Sequence, residues 1–420
     1  MSTQTLDSLC TINPEALGAA TPMDMEFRYL DISAVTKGRI DWSATQLWKY
    51  ADAPSRARRR LHSGDILLCT VRPGLQAHAR ICQEEDTSLV GSTGFAVLRP
   101  NLAGDSGFVF HQIFGDLVAA QLRALETGSS YPAVNEDDVR RVRVFCPKKE
   151  ERWRIAAVLD KVDEAIAKTE AVIAKLRQVR AGMLHDLLTR GLHQNGQLRD
   201  PIAHPEQFQD SPLGCIPREW TVRTCQSLCR EIVVGIVVKP AQYYVEEGVP
   251  VLRSANVRED GIQLSDLVFI SSESNIQLSK SMLHTDDVVM VRTGYPGTTC
   301  VVPRHLDGAN CVDLIISRPG SEIAPRFLAL WINSTFGKDQ VLRVQGGLAQ
   351  QHFNVGEMKT LLVAKPQPDE QKAIVEQIDA LDSDIQAATA EQAKLIVLKS
   401  GLMTDLLTGR VRVPETIPIG

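Results

Sequence analysis

The fold class this sequence predicts is a mixed α/β (α+β) chain made twice over, each copy a globular segment followed by a long helix. Three observations predict it. Sliding the sequence by 219 positions aligns residues 147–189 with 366–408 without a gap, and 15 of the 43 pairs are identical. In both stretches apolar residues step by alternating threes and fours, the period of a helix burying one stripe. Upstream of each lie short apolar runs bounded by Gly, Pro and Asp, as strands are.

The first globular segment is placed at 1–147, with strands at "DILLCTV" (65–71) and "GFAVLRP" (94–100) and a helix over 108–125 lying on the sheet. The second, at 215–366, repeats these parts as "DVVMVRTG", "DLIISRPG" and a helix over 325–343. Shared words mark the frame: "TLDSLC" (5–10) meets "TCQSLC" (224–229), and "LHSGDIL" (61–67) meets "LHTDDVV" (283–289). "IVVGIVV" (232–238) reads as a buried strand interrupted by Gly235, far too short to span a bilayer. A linker rich in Gly, Pro, Asn and Asp occupies 193–214.

The long helices are placed at 148–192 and 367–412, with a tail at 413–420. The first seam is Leu159, Val162, Ile166, Ile173, Leu176 and Met183. The second is Ile378, Leu381, Ile385, Leu395 and Leu402, with polar interruptions at matching places. Neither helix can bury such a stripe alone. Either each packs on its own globular segment, or the two pack on one another as a coiled coil.

Composition restricts function. Hydrophobic residues make up 44% and charged residues 23%, and the net charge is −5, so any nucleic-acid surface must be a local patch. Nine scattered cysteines without a CxxC pair fit reduced thiols and argue against a zinc site; no metal is expected. The opening residues have neither a basic nor an apolar leader region, and a cytoplasmic protein is expected. No phosphate loop, GxGxxG, HExxH or GxSxG is present. "NPEAL" (13–17) only begins like the Asn-Pro-Pro-aromatic motif of amino-methyltransferases, and "NEDD" (135–138) reads as a helix start. No catalytic residue is assigned, and the chain reads as a non-enzyme.

The positive signals are local and basic. "RARRR" (56–60) offers Arg56, Arg58, Arg59 and Arg60 in a loop preceding a strand, as phosphate contacts or as a plain solvated surface. Arg72 follows the next strand. In the second copy "RTGYPGTT" reads as a turn carrying Arg292 and Tyr295, and "QGGLAQQHFN" carries Gln350, Gln351 and His352. Guanidinium and amide groups are the side chains that read guanine and adenine edges.

"SPLGCIPREWTV" (211–222), "KPQPDEQKAIVEQID" (365–379) and "GLMTDLLTGRVRV" (401–413), with the duplication, resemble the specificity subunits of type I restriction–modification enzymes. The first copy keeps weaker forms, "CPKKEERWRIAAVLD" (146–160) and "GMLHDLLTRGL" (182–192), with Glu151-Arg152 where the family has Glu-Gln. The resemblance implies two target recognition domains, each reading half of a split, asymmetric target in double-stranded DNA. It implies an antiparallel coiled coil that sets the spacing between the halves. It also implies two modification (methyltransferase) subunits and restriction/motor subunits as partners. S-adenosylmethionine, ATP and Mg are expected on those partners and no cofactor in this chain. A two-headed coiled-coil scaffold that binds no DNA is the competing reading, supported by the acidic net charge.

Overall fold

The structure is a computed structural model that describes residues 3–82, 88–128, 131–344 and 353–417. The chain divides into two compact units, Met1–Ala171 with Thr389–Gly420, and Val172–Ala388. The division falls within both long helices, Lys149–Arg190 and Pro368–Leu406, so each unit holds part of each helix.

In the first unit one antiparallel sheet runs in the order Cys10–Ile12, Phe95–Pro100, Ile66–Cys69, Ala79–Arg80. All four residues of Ile66–Cys69 are buried, as expected of a continuous apolar run. A second sheet runs Gln46–Lys49, Glu26–Leu30, Leu89–Ser92, Ala57–Leu61, its middle pair parallel. The second unit repeats the first sheet as Cys229–Val234, Leu314–Pro319, Val288–Val291, Thr299–Val301. Its other sheet again contains a parallel pair, Val249–Leu252 with Asn310–Cys311, here at one end of the strand order. Asn310–Cys311 is an edge there: among the described residues no strand takes the place that Ala57–Leu61 holds in the first unit.

Several details differ from the sequence expectation. The helix expected over 108–125 is two helices, Ser106–Phe114 and Asp116–Leu125, broken at extended Gly115. That over 325–343 breaks at Ser334, between Pro325–Asn333 and Thr335–Val344. Apolar content masked both breaks. The strand expected over 232–238 stops at Val234, and at Gly235 the neighbouring backbone comes so close that a Cβ would meet the Cys311 oxygen at 2.6 Å. Val237 and Val238 beyond it are exposed.

Eleven seam positions were expected to be covered, and each is buried or half-buried. In the first unit Ile155 and Leu159 near the start of one long helix share a core with Leu406 and Leu407 at the end of the other. Lys399 meets Asp163 there at 2.6 Å. In the second unit Leu184, Leu187 and Leu188 share a core with Ile374 and Ile378, and Arg180 pairs with Asp382. In each unit the start of one helix therefore packs beside the end of the other.

The stretch expected as a linker is tied down in the second unit. Glu370 accepts from Arg199, from the Trp220 indole and from the Leu192 backbone N–H. The "NEDD" helix start holds as a capping box, in which Asn135 Oδ1 accepts the Asp138 N–H at 2.9 Å and Asp138 accepts the Asn135 N–H in return. Asn354 and Glu357 form the same box in the second unit. Asn135→Ala is expected to destabilise the first unit by about 1 kcal/mol in denaturant unfolding, since it orphans the Asp138 amide. An unchanged midpoint would show that water replaces the cap.

Candidate nucleic-acid interface

The arginine cluster lies in a strand rather than in the expected loop. Ala57–Leu61 pairs antiparallel with Leu89–Ser92, which carries the strand identity that the arginine-rich segment itself lacks. Pairing alternates its side chains between faces. Arg60, opposite Val90, is exposed, and so is Arg56 just before the strand. Arg58 is half-buried with its guanidinium 5.2 Å from the Tyr50 ring centroid, and its Nη1 donates to the Ala57 oxygen at 2.8 Å. Arg59 turns inward: its Nε is buried without a hydrogen-bond partner, and burial lowers the guanidinium pKa. Arg56 and Arg60 are thus exposed, and Arg58 and Arg59 are half-buried on opposite faces of the strand.

Arg72 joins this surface through the backbone. The Arg56 carbonyl accepts the Thr93 N–H at 2.8 Å, and the adjacent Gly94 carbonyl accepts from the Thr70 N–H and hydroxyl, each at 2.9 Å. Arg56 and Thr70, two residues before Arg72, therefore flank a single turn at Thr93–Gly94. Arg72 is exposed and lies 4.8 Å over the ring of Tyr131, itself 71% exposed. Tyr131 had no sequence signal, because the contact joins residues far apart in the chain.

In the second unit the expected turn is present, with Gly294 and Gly297 at φ +91° and +93°. Tyr295 at its tip is 85% exposed. Arg292 is not: its Nη1 donates to Asp313 Oδ1 at 3.0 Å, and Thr293 Oγ1 donates to the same carboxylate at 3.0 Å. Asp313 stands one repeat after Gly94, an equivalence readable in the sequence. Gln350, Gln351 and His352 lie outside the described residues.

Three of the cations lining a cleft of 800 Å³ in the first unit are held by carboxylates. Arg80 is held by Asp160 at 3.1 Å, Lys399 by Asp163 at 2.6 Å, and Arg39 by Glu170. Those three are paired within the protein, while Lys37, which also lines the cleft, is exposed, as are Arg56 and Arg60. Among the described residues no helix is long and apolar enough to cross a membrane.

No family model matches the chain. Among curated proteins it is similar to the type I restriction enzyme MjaVIII specificity subunit of Methanocaldococcus jannaschii. They are 22% identical over 331 residues, 77% of this chain and 75% of the relative. The putative type I restriction enzyme MjaX specificity subunit of that organism is 22% identical over 285 residues, 67% of this chain and 62% of the relative. Among solved structures, the type I restriction–modification S subunit from M. genitalium superposes with a TM-score of 0.59 at 15% identity. That match covers 97% of this chain and 96% of the other, and speaks for the fold.

Proposed function

The chain belongs among the specificity subunits of type I restriction enzymes, and from that premise we propose that it is the non-catalytic, sequence-reading subunit of such a complex. Its two units act as tandem target recognition domains, each engaging half of a bipartite, asymmetric double-stranded DNA site. The long helices form one antiparallel coiled coil that sets the distance between the halves. Two modification subunits and the restriction/motor subunits dock on this chain and bring S-adenosylmethionine, ATP and Mg with them.

The observation that carries the reading is a shared frame with different edges. Both units have the same strand order in one sheet and a parallel pair in the other, yet among the described residues only the first flanks that pair with a further strand, the arginine-bearing Ala57–Leu61. Repeated frames with different edges are what reading two unlike half-sites requires. The charge balance supports local contact: a chain of net charge −5 holds duplex only where cations cluster at a surface.

The test is a genome-wide map of methylated adenines with and without this chain. The expected result is a split motif that vanishes when the chain is removed. Shortening the long helices by one heptad should change the spacer and leave both half-sites unchanged. If the assembled complex shows no preference over random duplex in gel-shift competition, the scaffold reading replaces this one.

A further inference from the structure

Resting on the DNA-reading role proposed above, we infer that Tyr295 reads the C5 methyl group of a thymine in the half-site of the second unit, and that Arg292 braces the turn that carries it instead of reading a base. The register that aligns "LHSGDIL" with "LHTDDVV" puts Arg292 at the place of Thr70, and Asp313 stands at that of Gly94. The same two places are tied in both units. Thr70 Oγ1 donates to the Gly94 oxygen at 2.9 Å, and Arg292 Nη1 donates to Asp313 Oδ1 at 3.0 Å. The next contact repeats as well. The Val134 N–H donates to the Thr70 oxygen at 3.0 Å, and the Phe353 N–H donates to the Arg292 oxygen at 3.1 Å. Arg292 therefore fills a structural position of the frame, and its guanidinium would have to leave a carboxylate to meet a base.

Asp313 also gathers the surface around the turn. Its N–H donates to the Ile236 oxygen at 3.1 Å, and its carboxylate accepts from Thr293 Oγ1 at 3.0 Å, which brings residues 236–239 beside 292–298. Across 236–239, 292–298 and 311–314 the exposed side chains are Val237, Val238, Lys239 and Tyr295. Tyr295 is 85% exposed and Val238 70%. The turn is closed at its base, where the Val291 N–H donates to the Thr298 oxygen at 2.9 Å and the Gly297 N–H to the Val291 oxygen at 3.1 Å. Pro296 fixes its own φ, and Gly294 and Gly297 supply the left-handed positions. A tyrosine on such a turn offers a large apolar face with few rotamers to freeze on binding. One lysine beside three apolar-faced side chains suits a duplex. The cation meets a phosphate, while the apolar surface has one partner among the base edges of the major groove, the thymine methyl. The other three bases show donors and acceptors there.

The experiment uses the complete complex with its modification subunits. Once its methylation motif is mapped, each thymine of both half-sites is replaced in turn by deoxyuridine, which pairs alike and lacks only the methyl group, and binding is measured by competition. The wild type is expected to lose roughly 4-fold at one position of one half-site, the worth of one methyl group removed from water. Tyr295→Ala should bind the thymine and deoxyuridine duplexes alike at that position, and Tyr295→Phe should keep the difference. Lys239→Gln should also keep it, while flattening the log–log salt slope by about 0.9. The inference is overturned if no deoxyuridine replacement weakens the wild-type complex, a result that needs no variant to fold. It is equally overturned if Tyr295→Ala distinguishes the two bases as the wild type does; weaker assembly with the partner subunits in that case would make the patch a protein-docking face. A wild-type complex with no motif at all would remove the underlying DNA-reading role instead.

Discussion

Asp105→Ala lowers the stability of the first unit by about 3–5 kcal/mol, and adding Arg152→Gln recovers more than half of that loss. Arg152 donates to Asp105 through Nε and Nη2 at 2.9 and 2.7 Å, and the two side chains are only 10% and 2% exposed. Trp153 Nε1 donates to the same carboxylate at 3.1 Å. Removing the carboxylate strands a guanidinium where water cannot reach it, which costs more than the pair contributes. The recovery is argued from the second unit, where the positions one repeat later are Ala324 and Gln371. Gln371, 1% exposed, accepts the Ala324 N–H and donates to the Glu322 and Pro366 oxygens at 3.0 and 2.9 Å. Arg152 donates to the matching Pro147 oxygen at 3.1 Å, so a glutamine there keeps one of its bonds. The same helix junction is thus built as an ion pair in one unit and as a neutral amide in the other. A double-mutant cycle in denaturant checks this, and strictly additive losses would sink it.

Much of this architecture could be read before the structure, and the reasons are local. Ile66–Cys69 and Val288–Val291 are continuous apolar runs, and the long helices keep their period across four heptads, so burial and sequence pattern coincide. Gly115 and Ser334 were missed as helix breaks because the apolar pattern on either side stays in phase with a single helix. Ala57–Leu61 was misread for the opposite reason. Three of its five residues are arginine, and only pairing with Leu89–Ser92 makes it a strand. At the candidate interface, the arginines were legible as residue types, but their division between solvent and interior was not, because alternation depends on that unrecognised strand. The Tyr131 stack and the Asp313 restraint depend on contacts between distant segments.

That division makes the strongest binding prediction. Replacing Arg56, Arg58 and Arg60 together with Ala is expected to lower DNA affinity of the assembled complex roughly 100-fold near physiological salt and to flatten the log–log salt slope by about 2.7. Each lysine or arginine on a phosphate releases about 0.9 of a counterion, so the slope counts contacts and the affinity follows from it. Arg59→Ala is expected to leave the slope unchanged, because pairing puts its side chain on the strand face opposite Arg58 and Arg60 and its Nε is buried. Arg58 separates two versions of the prediction. If its place over Tyr50 holds it away from the backbone of the duplex, the Arg56→Ala, Arg60→Ala pair alone will account for the change, at about 1.8 in slope. If Arg59→Ala shifts the slope as much as the exposed arginines do, the inward face is wrong. An unchanged slope in the triple variant would take Ala57–Leu61 off the DNA, and a strand with no counterpart among the described residues of the second unit would need another explanation.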